Sequence, residues 1–271
     1  MIFVNGYQVN VTVFPDKTRQ VWKLSDELIY SLKEYGINIS WYFEGQEEFF
    51  DLVQLELLLR QLVKDESYGE NAVKTTMFCP YMPYARQDKA VANESCYALE
   101  VILEYFHTME SLTVFDVHNP EPFKNRGFTF KNLMPYVEIK SVVDENNIDL
   151  LVYPDKGAAA RYDANLIGRP FISLDKVRDQ LTGNITGLSI KEEDKSKLTG
   201  KVLIVDDICD GGRTFIEAAK LLGDTEKYLY VSHGIFSKGL DCLYDAGYTA
   251  IYTVNNLSTK SFSRLTKRTK M

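Results

Sequence analysis

The segment 201–222, KVLIVDDICDGGRTFIEAAKLL, constrains the fold of this chain more than any other part of the sequence. An apolar run of strand length ends in two aspartates, and a loop with two adjacent glycines leads into a stretch with helical periodicity. Glycines let the backbone turn tightly and bring several N–H groups near a bound oxyanion. Thr214 stands at the predicted helix start, where its hydroxyl and the helix dipole both favour a phosphate. The pattern therefore predicts a strand–loop–helix unit that binds a phosphate group.

Asp206 and Asp207, at the end of this strand, suit the two hydroxyls of a ribose or a metal ion held beside them. An acidic helix N-terminus with a glycine turn is the structural alternative. The predicted ribose-phosphate site comprises Asp206, Asp207, Asp210, Gly211, Gly212, Arg213 and Thr214.

Elsewhere, apolar runs of strand length alternate with stretches of helical periodicity. Strands are predicted at 39–43, 75–80, 112–117, 150–153, 171–174, 202–205, 228–233 and 250–254. Helices are predicted at 26–35, 46–64 (buried all round), 94–106, 158–166 and 214–222, and Asn5-Gly6 predicts a hairpin turn within 2–13. This alternation is typical of parallel α/β sheets. Two such halves fit a chain of 271 residues, and we predict domains at 1–140 and 141–271.

Composition excludes several classes of protein. The net charge is -7, with 31 basic and 38 acidic residues, so we expect no nucleic-acid partner. No apolar run approaches the length of a membrane helix, and the first residues lack the pattern of a secretory signal. The 4 cysteines show no metal or redox spacing, and the 3 histidines exclude a His-rich metal protein. We expect a cytoplasmic protein without a membrane partner.

In sheets of this kind, function is carried by the loops beyond the carboxyl ends of the strands. Four such loops are rich in charged and polar residues: YMPYARQDK, DVHNPEP, PDKGAAAR and DDICDGGRT. Packing alone does not explain charge at all four predicted strand ends.

These loops carry a resemblance to a known family. The segment 201–214 resembles the 5-phosphoribosyl diphosphate (PRPP) loop of type I phosphoribosyltransferases. PYMPYARQDK resembles the ATP-site segment of ribose-phosphate pyrophosphokinases, DVH at 116–118 resembles their Asp-Leu-His, and YPDKGAAAR and SHGIFS resemble two further segments in the same order. The resemblance implies an α/β fold of two tandem type I phosphoribosyltransferase-like domains, each a mainly parallel sheet flanked by helices.

The resemblance also implies an activity. The family transfers the β,γ-diphosphoryl group of Mg-ATP to the 1-hydroxyl of ribose 5-phosphate and releases AMP, which serves nucleotide biosynthesis. No Gly-x-x-x-x-Gly-Lys-Ser/Thr motif occurs in this sequence, so the triphosphate must be held in another way. By resemblance, ATP is bound by Arg86, Gln87, Asp88 and His118.

Further roles follow from the same resemblance. Mg²⁺ is the implied cofactor, with His118 and Asp155 at its site. Lys176 and Arg178 align with the basic pair of the catalytic loop, and 179–187 with its mobile segment. Phe14 and Asp16 match the family's Phe-Ser-Asp, which reaches the ATP site of a neighbouring subunit, so we expect a homo-oligomer that is at least a dimer. His233 is expected to have a structural or supporting role.

The sequence departs from the family at the acceptor side. Gly211 replaces a threonine, Arg213 adds a guanidinium to the phosphate loop, and Val177 stands where a second arginine is common. The alternative acceptor is therefore ADP-ribose, with the same chemistry serving NAD metabolism. A short, virus-encoded member would fit the length, and its cytoplasm would then be the host's. A phosphoribosyltransferase and an inactive regulatory homologue remain less favoured alternatives.

Overall fold

The computed structural model describes residues 1–64, 74–89, 96–178, 185–258 and 267–268, with backbone only at 177–178, 185–186 and 267–268. The first residues of the helix predicted at 94–106 lie outside this description, as does most of the basic tail from Lys260 onward. The chain divides into two compact units, Met1–Leu133 and Met134–Met271, which are described separately.

The first unit is built on a six-stranded sheet in the order β2-β1-β5-β6-β7-β8. Its strands are β1 Ile2–Val4, β2 Tyr7–Gln8, β5 Ile37–Trp41, β6 Thr75–Cys79, β7 Ser111–Phe115 and β8 Thr129–Leu133, and a separate hairpin pairs β3 Thr12–Val13 with β4 Arg19–Gln20. Its helices are α1 Asp26–Tyr35, α2 Glu48–Leu62 and α3 Ala98–Phe106, with a 3-10 turn at Glu121–Phe123. Pairing from β5 to β8 is parallel, and β1 runs antiparallel to both β2 and β5.

The second unit contains a parallel six-stranded sheet in the order β10-β9-β13-β14-β15-β16. These strands are β9 Leu150–Tyr153, β10 Phe171–Ser173, β13 Lys201–Cys209, β14 Glu226–Gly234, β15 Tyr248–Asn256 and β16 Lys267–Arg268, and β11 Asp175–Arg178 forms an antiparallel hairpin with β12 Ile185–Ser189. The helices are α4 Tyr136–Asn146, α5 Lys156–Arg161, α6 Ala164–Ile167, α7 Glu192–Lys195, α8 Arg213–Leu221 and α9 Asp241–Asp245.

The predicted α/β class with mainly parallel sheets is confirmed, and local signals explain several elements. Asn5 and Gly6 both have positive φ, 50° and 85°, as the predicted two-residue hairpin turn requires. Ser25 caps α1 by accepting a hydrogen bond from the Leu28 N–H at 3.2 Å. Four consecutive apolar residues of β13, 202–205, are fully buried, which matches a central parallel strand covered on both faces.

Three expectations differ from the structure. The helix predicted at 158–166 is two short helices, α5 and α6, because Asp163 caps a new helix with its own side chain. The stretch of α2 is not buried all round, since Phe50 and Leu57 are 61% and 60% exposed. Helix α4 and strand β8 were not predicted. None of the described helices is long and apolar enough to cross a membrane.

Candidate active site

The predicted phosphate loop, residues 210–214, lies at the carboxyl end of the central strand β13. Gly212 has a φ of +77° and precedes α8, and a Cβ on it would lie 3.1 Å from a Leu243 methyl carbon. Both the backbone conformation and the space therefore require glycine at this position. The loop begins at Asp210, and the side chains of Asp210 and Thr214 are exposed. The structure thus has the strand–loop–helix geometry that the sequence predicts.

Arg213 is the first residue of α8, and its side chain projects into solvent. Its side chain is 77% exposed, and its Nε lies 2.9 Å from Oε1 of Glu217, one helical turn further on. The rest of the guanidinium faces solvent beside the loop, so it is accessible to an anionic ligand.

Asp207 is buried and ion-paired. Its Oδ2 lies 3.2 Å from the guanidinium of Arg161, at the end of α5, and both side chains are largely excluded from solvent. Sequence analysis predicted a ribose contact for Asp207, and the structure assigns its carboxylate at least one protein partner. Arg161 was missed as an individual residue, although it ends the quoted PDKGAAAR segment.

Asp206 is partly buried and accepts a hydrogen bond from the Asp207 N–H at 3.0 Å. Burial raises the pKa of this carboxyl well above its ordinary value, and the neighbouring Asp207 and the more distant Asp155 add to the rise. Asp206 therefore lies within electrostatic reach of two other carboxylates at the ends of the adjacent strands β9 and β13. Such a cluster favours a cation or a hydroxyl donor.

Asp155 connects this cluster to the predicted catalytic lysine. It is the N-cap of α5, its Oδ1 accepts the Ala158 N–H at 2.9 Å, and its Oδ2 lies 2.5 Å from Nζ of Lys176. Burial acts to raise the pKa of Asp155, but the Lys176 ammonium and the Ala158 N–H outweigh it and hold the pKa below its usual value. A second pair joins Lys156 to Asp175 at 3.1 Å. Both pairs join the start of α5 to strand β11. The acid lies at α5 in one pair and on β11 in the other.

The rest of the predicted catalytic loop is only partly described. Arg178 ends β11 and pairs in register with Ile185, but its side chain lies outside the described part of the chain. The predicted mobile segment also lies outside it from 179 to 184.

In the first unit, the loops after β6 and β7 are joined by a hydrogen bond. The Asn119 side-chain amide donates to Oδ2 of Asp88 at 2.6 Å. Arg86 and Gln87 are exposed, and the preceding Tyr84 has a φ of 62°. The structure therefore places the predicted ATP-site residues of both loops at one edge of the sheet. Asn119 was not predicted, although it directly follows the DVH motif.

His118 is exposed at the end of β7, close behind a strained backbone position. Asp116 is fully buried and has a φ of 44°, which non-glycine residues rarely adopt. The Val117 N–H donates to the side chain of Asn132 at 3.0 Å, which helps to hold this turn. Such strain is found where the surrounding structure must present a particular side chain.

Phe14 and Asp16 lie at the tip of the hairpin β3–β4. Asp16 accepts hydrogen bonds from the backbone N–H and hydroxyl of Thr18, at 3.0 and 2.7 Å, and these lower its pKa. At the base, the Arg19 guanidinium forks onto the buried carboxylate of Asp51 in α2, with an Nε–Oδ2 distance of 3.0 Å. The hairpin is therefore anchored to α2 at its base.

A metal centre made of protein side chains alone is not found in the described chain, where no three His, Cys, Asp or Glu residues cluster suitably for it. Magnesium nevertheless needs only one or two carboxylates, with water and phosphate oxygens completing its shell. Asp206, with its raised pKa, and Asp155 provide the oxygen donors that magnesium prefers. His118 offers a nitrogen donor, which is less suited to this ion. His233 is buried, and its Nδ1 lies 3.0 Å from the Asn255 amide, in keeping with a supporting role.

Comparisons with known proteins agree with the architecture. No family model matches the chain. It is 30% identical over 194 residues to the ribose-phosphate pyrophosphokinase of Pyrococcus abyssi, covering 69% of this chain and 67% of that protein. It is 28% identical over 239 residues to the corresponding protein of Pyrococcus furiosus, covering 85% and 79%.

The fold is also similar to a solved structure. The phosphoribosylpyrophosphate synthetase of Mycobacterium smegmatis matches with a TM-score of 0.68 at 17% identity, over 90% of this chain and 78% of that one. A two-unit α/β fold and sequence similarity extending through both units lead to the same assignment. The chain belongs to the ribose-phosphate pyrophosphokinase family of transferases.

Proposed function

We propose that this protein transfers the β,γ-diphosphoryl group of Mg-ATP to the 1-hydroxyl of ribose 5-phosphate. The hydroxyl oxygen bonds to the β-phosphorus, the bond from that phosphorus to the α–β bridging oxygen breaks, and AMP leaves with that oxygen. The hydroxyl proton passes to solvent. The main support is the loop at the end of β13. On the same strand, Asp206 lies within electrostatic reach of Asp155, and Asp155 pairs with Lys176.

The residues of the second unit would have two roles, binding of the acceptor and neutralisation of charge on the transferred group. The loop from Asp210 to Thr214 would receive the 5-phosphate, and Asp206 would accept hydrogen bonds from the ribose hydroxyls. Lys176 and Arg178 would neutralise the charge that develops on the transferred group, because in-line phosphoryl transfer is catalysed mainly by placement and electrostatics. For Lys176 this requires leaving the ion pair with Asp155.

In the second unit, magnesium would be held by Asp155 and Asp206. The metal role of His118, in the first unit, stays a prediction from the family resemblance. Bound to the two carboxylates, magnesium would supply charge neutralisation to phosphate oxygens. Its charge would also offset the burial and the neighbouring carboxylates that together raise the pKa of Asp206.

The ATP side would be formed by Arg86, Gln87, Asp88 and His118 of the first unit. A guanidinium can stack on a purine or fork onto phosphate, and Arg86 is exposed as this role requires. Phe14 and Asp16 would complete the ATP site of a neighbouring subunit, so we propose a homo-oligomer. We also propose that the protein acts in the cytoplasm.

The test is AMP release from Mg-ATP and ribose 5-phosphate, with products identified by mass. Lys176→Ala should lower kcat by at least about a hundredfold, because electrostatic groups of this kind contribute about 10²–10³ in rate. Lys195→Ala, which removes an exposed lysine paired with Glu192, serves as the matched control. Unchanged turnover in Lys176→Ala would remove the catalytic assignment.

ADP-ribose is the second candidate acceptor, with the same chemistry leading into NAD metabolism. The observation that favours it is the exposed guanidinium of Arg213, which could contact a second phosphate beyond the loop. Both acceptors should be assayed in parallel. If ADP-ribose is preferred, Arg213→Ala should reduce that preference more than it reduces turnover with ribose 5-phosphate.

A further inference from the structure

The turn that follows β14 is fastened to the phosphate loop by its backbone. Cys209 ends β13, and its carbonyl accepts hydrogen bonds from the N–H groups of Ile235 and Phe236 at 2.9 and 3.1 Å. Phe236 is fully buried with a φ of 48°, and a Cβ on Gly234 would overlap its ring at 2.0 Å. Packing therefore holds this turn in one conformation against the loop, although the conformation is costly for a phenylalanine.

The fixed turn places the side chain of Lys238 beside Gly211 of the phosphate loop. A Cβ placed on Gly211 would lie 3.5, 3.6 and 3.8 Å from Cε, Cδ and Cγ of Lys238. The methylene groups of the lysine thus lie along the glycine backbone, and the ammonium is one bond further along the same edge. A lysine stem commonly packs on a surface in this way while its charge stays in water.

Lys238 forms no ion pair with a carboxylate among the residues that the structure describes. Its neighbour on the loop, Arg213, pairs with Glu217, and the lysines at 156, 176, 195 and 197 all have acidic partners. No such pair is found for Lys238 among the residues that the structure describes, even though Asp210 directly precedes Gly211. The ammonium therefore stands available beside a loop of backbone N–H groups.

We propose that Lys238 is a further binding residue for the phosphate of the acceptor sugar. The proposal rests on the proposed function, since it takes the loop at 210–214 as the phosphate site. An ammonium at this edge would donate to a phosphate oxygen that the loop N–H groups leave uncovered. It would also offset the negative charge of the aspartates at 206, 207 and 210, which otherwise oppose a dianionic ligand.

The test compares ribose 5-phosphate binding by calorimetry, without ATP, in the full-length protein. Lys238→Met keeps the stem against Gly211 and removes the charge, and it should weaken binding by about tenfold, the value of a charge-assisted hydrogen bond. Lys238→Arg should stay within about threefold of the wild type, since it keeps the cation. Lys195→Met is the control for loss of an exposed lysine in the same unit and should not change binding.

Turnover provides a second readout that a merely structural role would not produce. Lys238→Met should raise KM for ribose 5-phosphate about tenfold and leave KM for ATP unchanged. Unchanged binding in Lys238→Met overturns the proposal. A wild-type protein that binds ribose 5-phosphate but releases no AMP overturns the proposed reaction while the binding comparison still decides the role of Lys238. Failure of the wild type to bind either ribose 5-phosphate or inorganic phosphate overturns both.

Discussion

At the scale of single residues, the proposed ribose-binding residue Asp206 is costly to ionise. Because its pKa in the folded protein is raised above that of the unfolded chain, the folded state holds its proton over a pH range where the unfolded state does not. Its ionisation therefore lowers stability progressively as pH rises from the ordinary value of 3.8 through the raised one.

Asp206→Asn should accordingly raise the melting temperature of the ligand-free protein while reducing turnover. The gain should be larger at pH 7.5 than at pH 4.5, at about 2–4 °C for each kcal/mol of ionisation cost that the substitution removes. Thermal unfolding at the two pH values measures this. Asp210→Asn, an exposed acid in the same loop, is the control and should leave the melting temperature nearly unchanged. A loss of stability in Asp206→Asn at pH 7.5 would contradict the assignment.

The buried pair of Arg161 and Asp207 predicts a different response. Arg161→Met takes the guanidinium away from a buried carboxylate, so it should lower the free energy of unfolding by about 3 kcal/mol. The double variant Arg161→Met/Asp207→Asn should recover most of that loss, because the buried charge is then absent too. Urea unfolding of the single and double variants measures the coupling. Equal stability of the two would show that the pair is not buried as described.

These two residues also show why sequence could not define the site in full. The motif DDICDGG predicted acids and a phosphate loop, because those residue types follow directly from the chemistry of a ribose phosphate. It could not show which acid is paired, since the partner, Arg161, lies 46 positions earlier in the chain and reaches Asp207 only through the pairing of β9 with β13. Asn119 and Lys238 were hidden for the same reason.

At the scale of elements, the start of α8 depends on one backbone conformation and one contact. In Gly212→Ala, the new methyl group is strained by a positive φ and also lies too close to Leu243. In Gly223→Ala, the φ of 55° is strained, but the methyl group has open space around it. A positive φ alone costs about 1–2 kcal/mol. Urea unfolding should therefore show a greater loss for Gly212→Ala than for Gly223→Ala, and Gly212→Ala alone should weaken ribose 5-phosphate binding. Equal effects on binding would show that the loop does not need this conformation.

The hairpin β11–β12 is the element whose position should control the availability of Lys176. Lys156 pairs with Asp175, the residue before Lys176, so it tethers the hairpin to the start of α5. Lys156→Ala should loosen the hairpin, which hydrogen exchange of its amides would detect as faster exchange, with little change in global stability because both partners are partly exposed. Lys191→Ala, whose pair with Glu193 is long at 3.9 Å, is the control. Unchanged exchange in Lys156→Ala would exclude the tether.

At the scale of the whole molecule, the alternation of strands and helices was sufficient to predict the α/β class and most of the parallel strands. The antiparallel hairpins β3–β4 and β11–β12 were missed because their strands have two to five residues and carry mixed polar sequence, so no periodicity develops. Both missed hairpins carry residues predicted for the reaction: Phe14 and Asp16 on the first, Lys176 and Arg178 on the second. The roles proposed for these residues rest on the family resemblance alone.

The first of these hairpins leads to a prediction about assembly. If Phe14 and Asp16 complete the ATP site of a neighbouring subunit, each site takes Lys176 from one chain and the hairpin tip from another. An inactive Lys176→Ala protein and an inactive Phe14→Ala/Asp16→Ala protein should then complement each other when subunits exchange. Random dimers formed from equal amounts should regain about a quarter of the wild-type activity, because half of the dimers are mixed and one of their two sites is intact.

The assay for this complementation is AMP release before and after subunit exchange, with each variant exchanged against itself as the control. Two inactive variants that stay inactive in demonstrably mixed oligomers would place the hairpin in its own subunit's site or outside the site altogether. Arg19→Ala, which cuts the anchor to Asp51 but leaves the tip unchanged, should behave in the same exchange experiment as a weakened form of the tip variant.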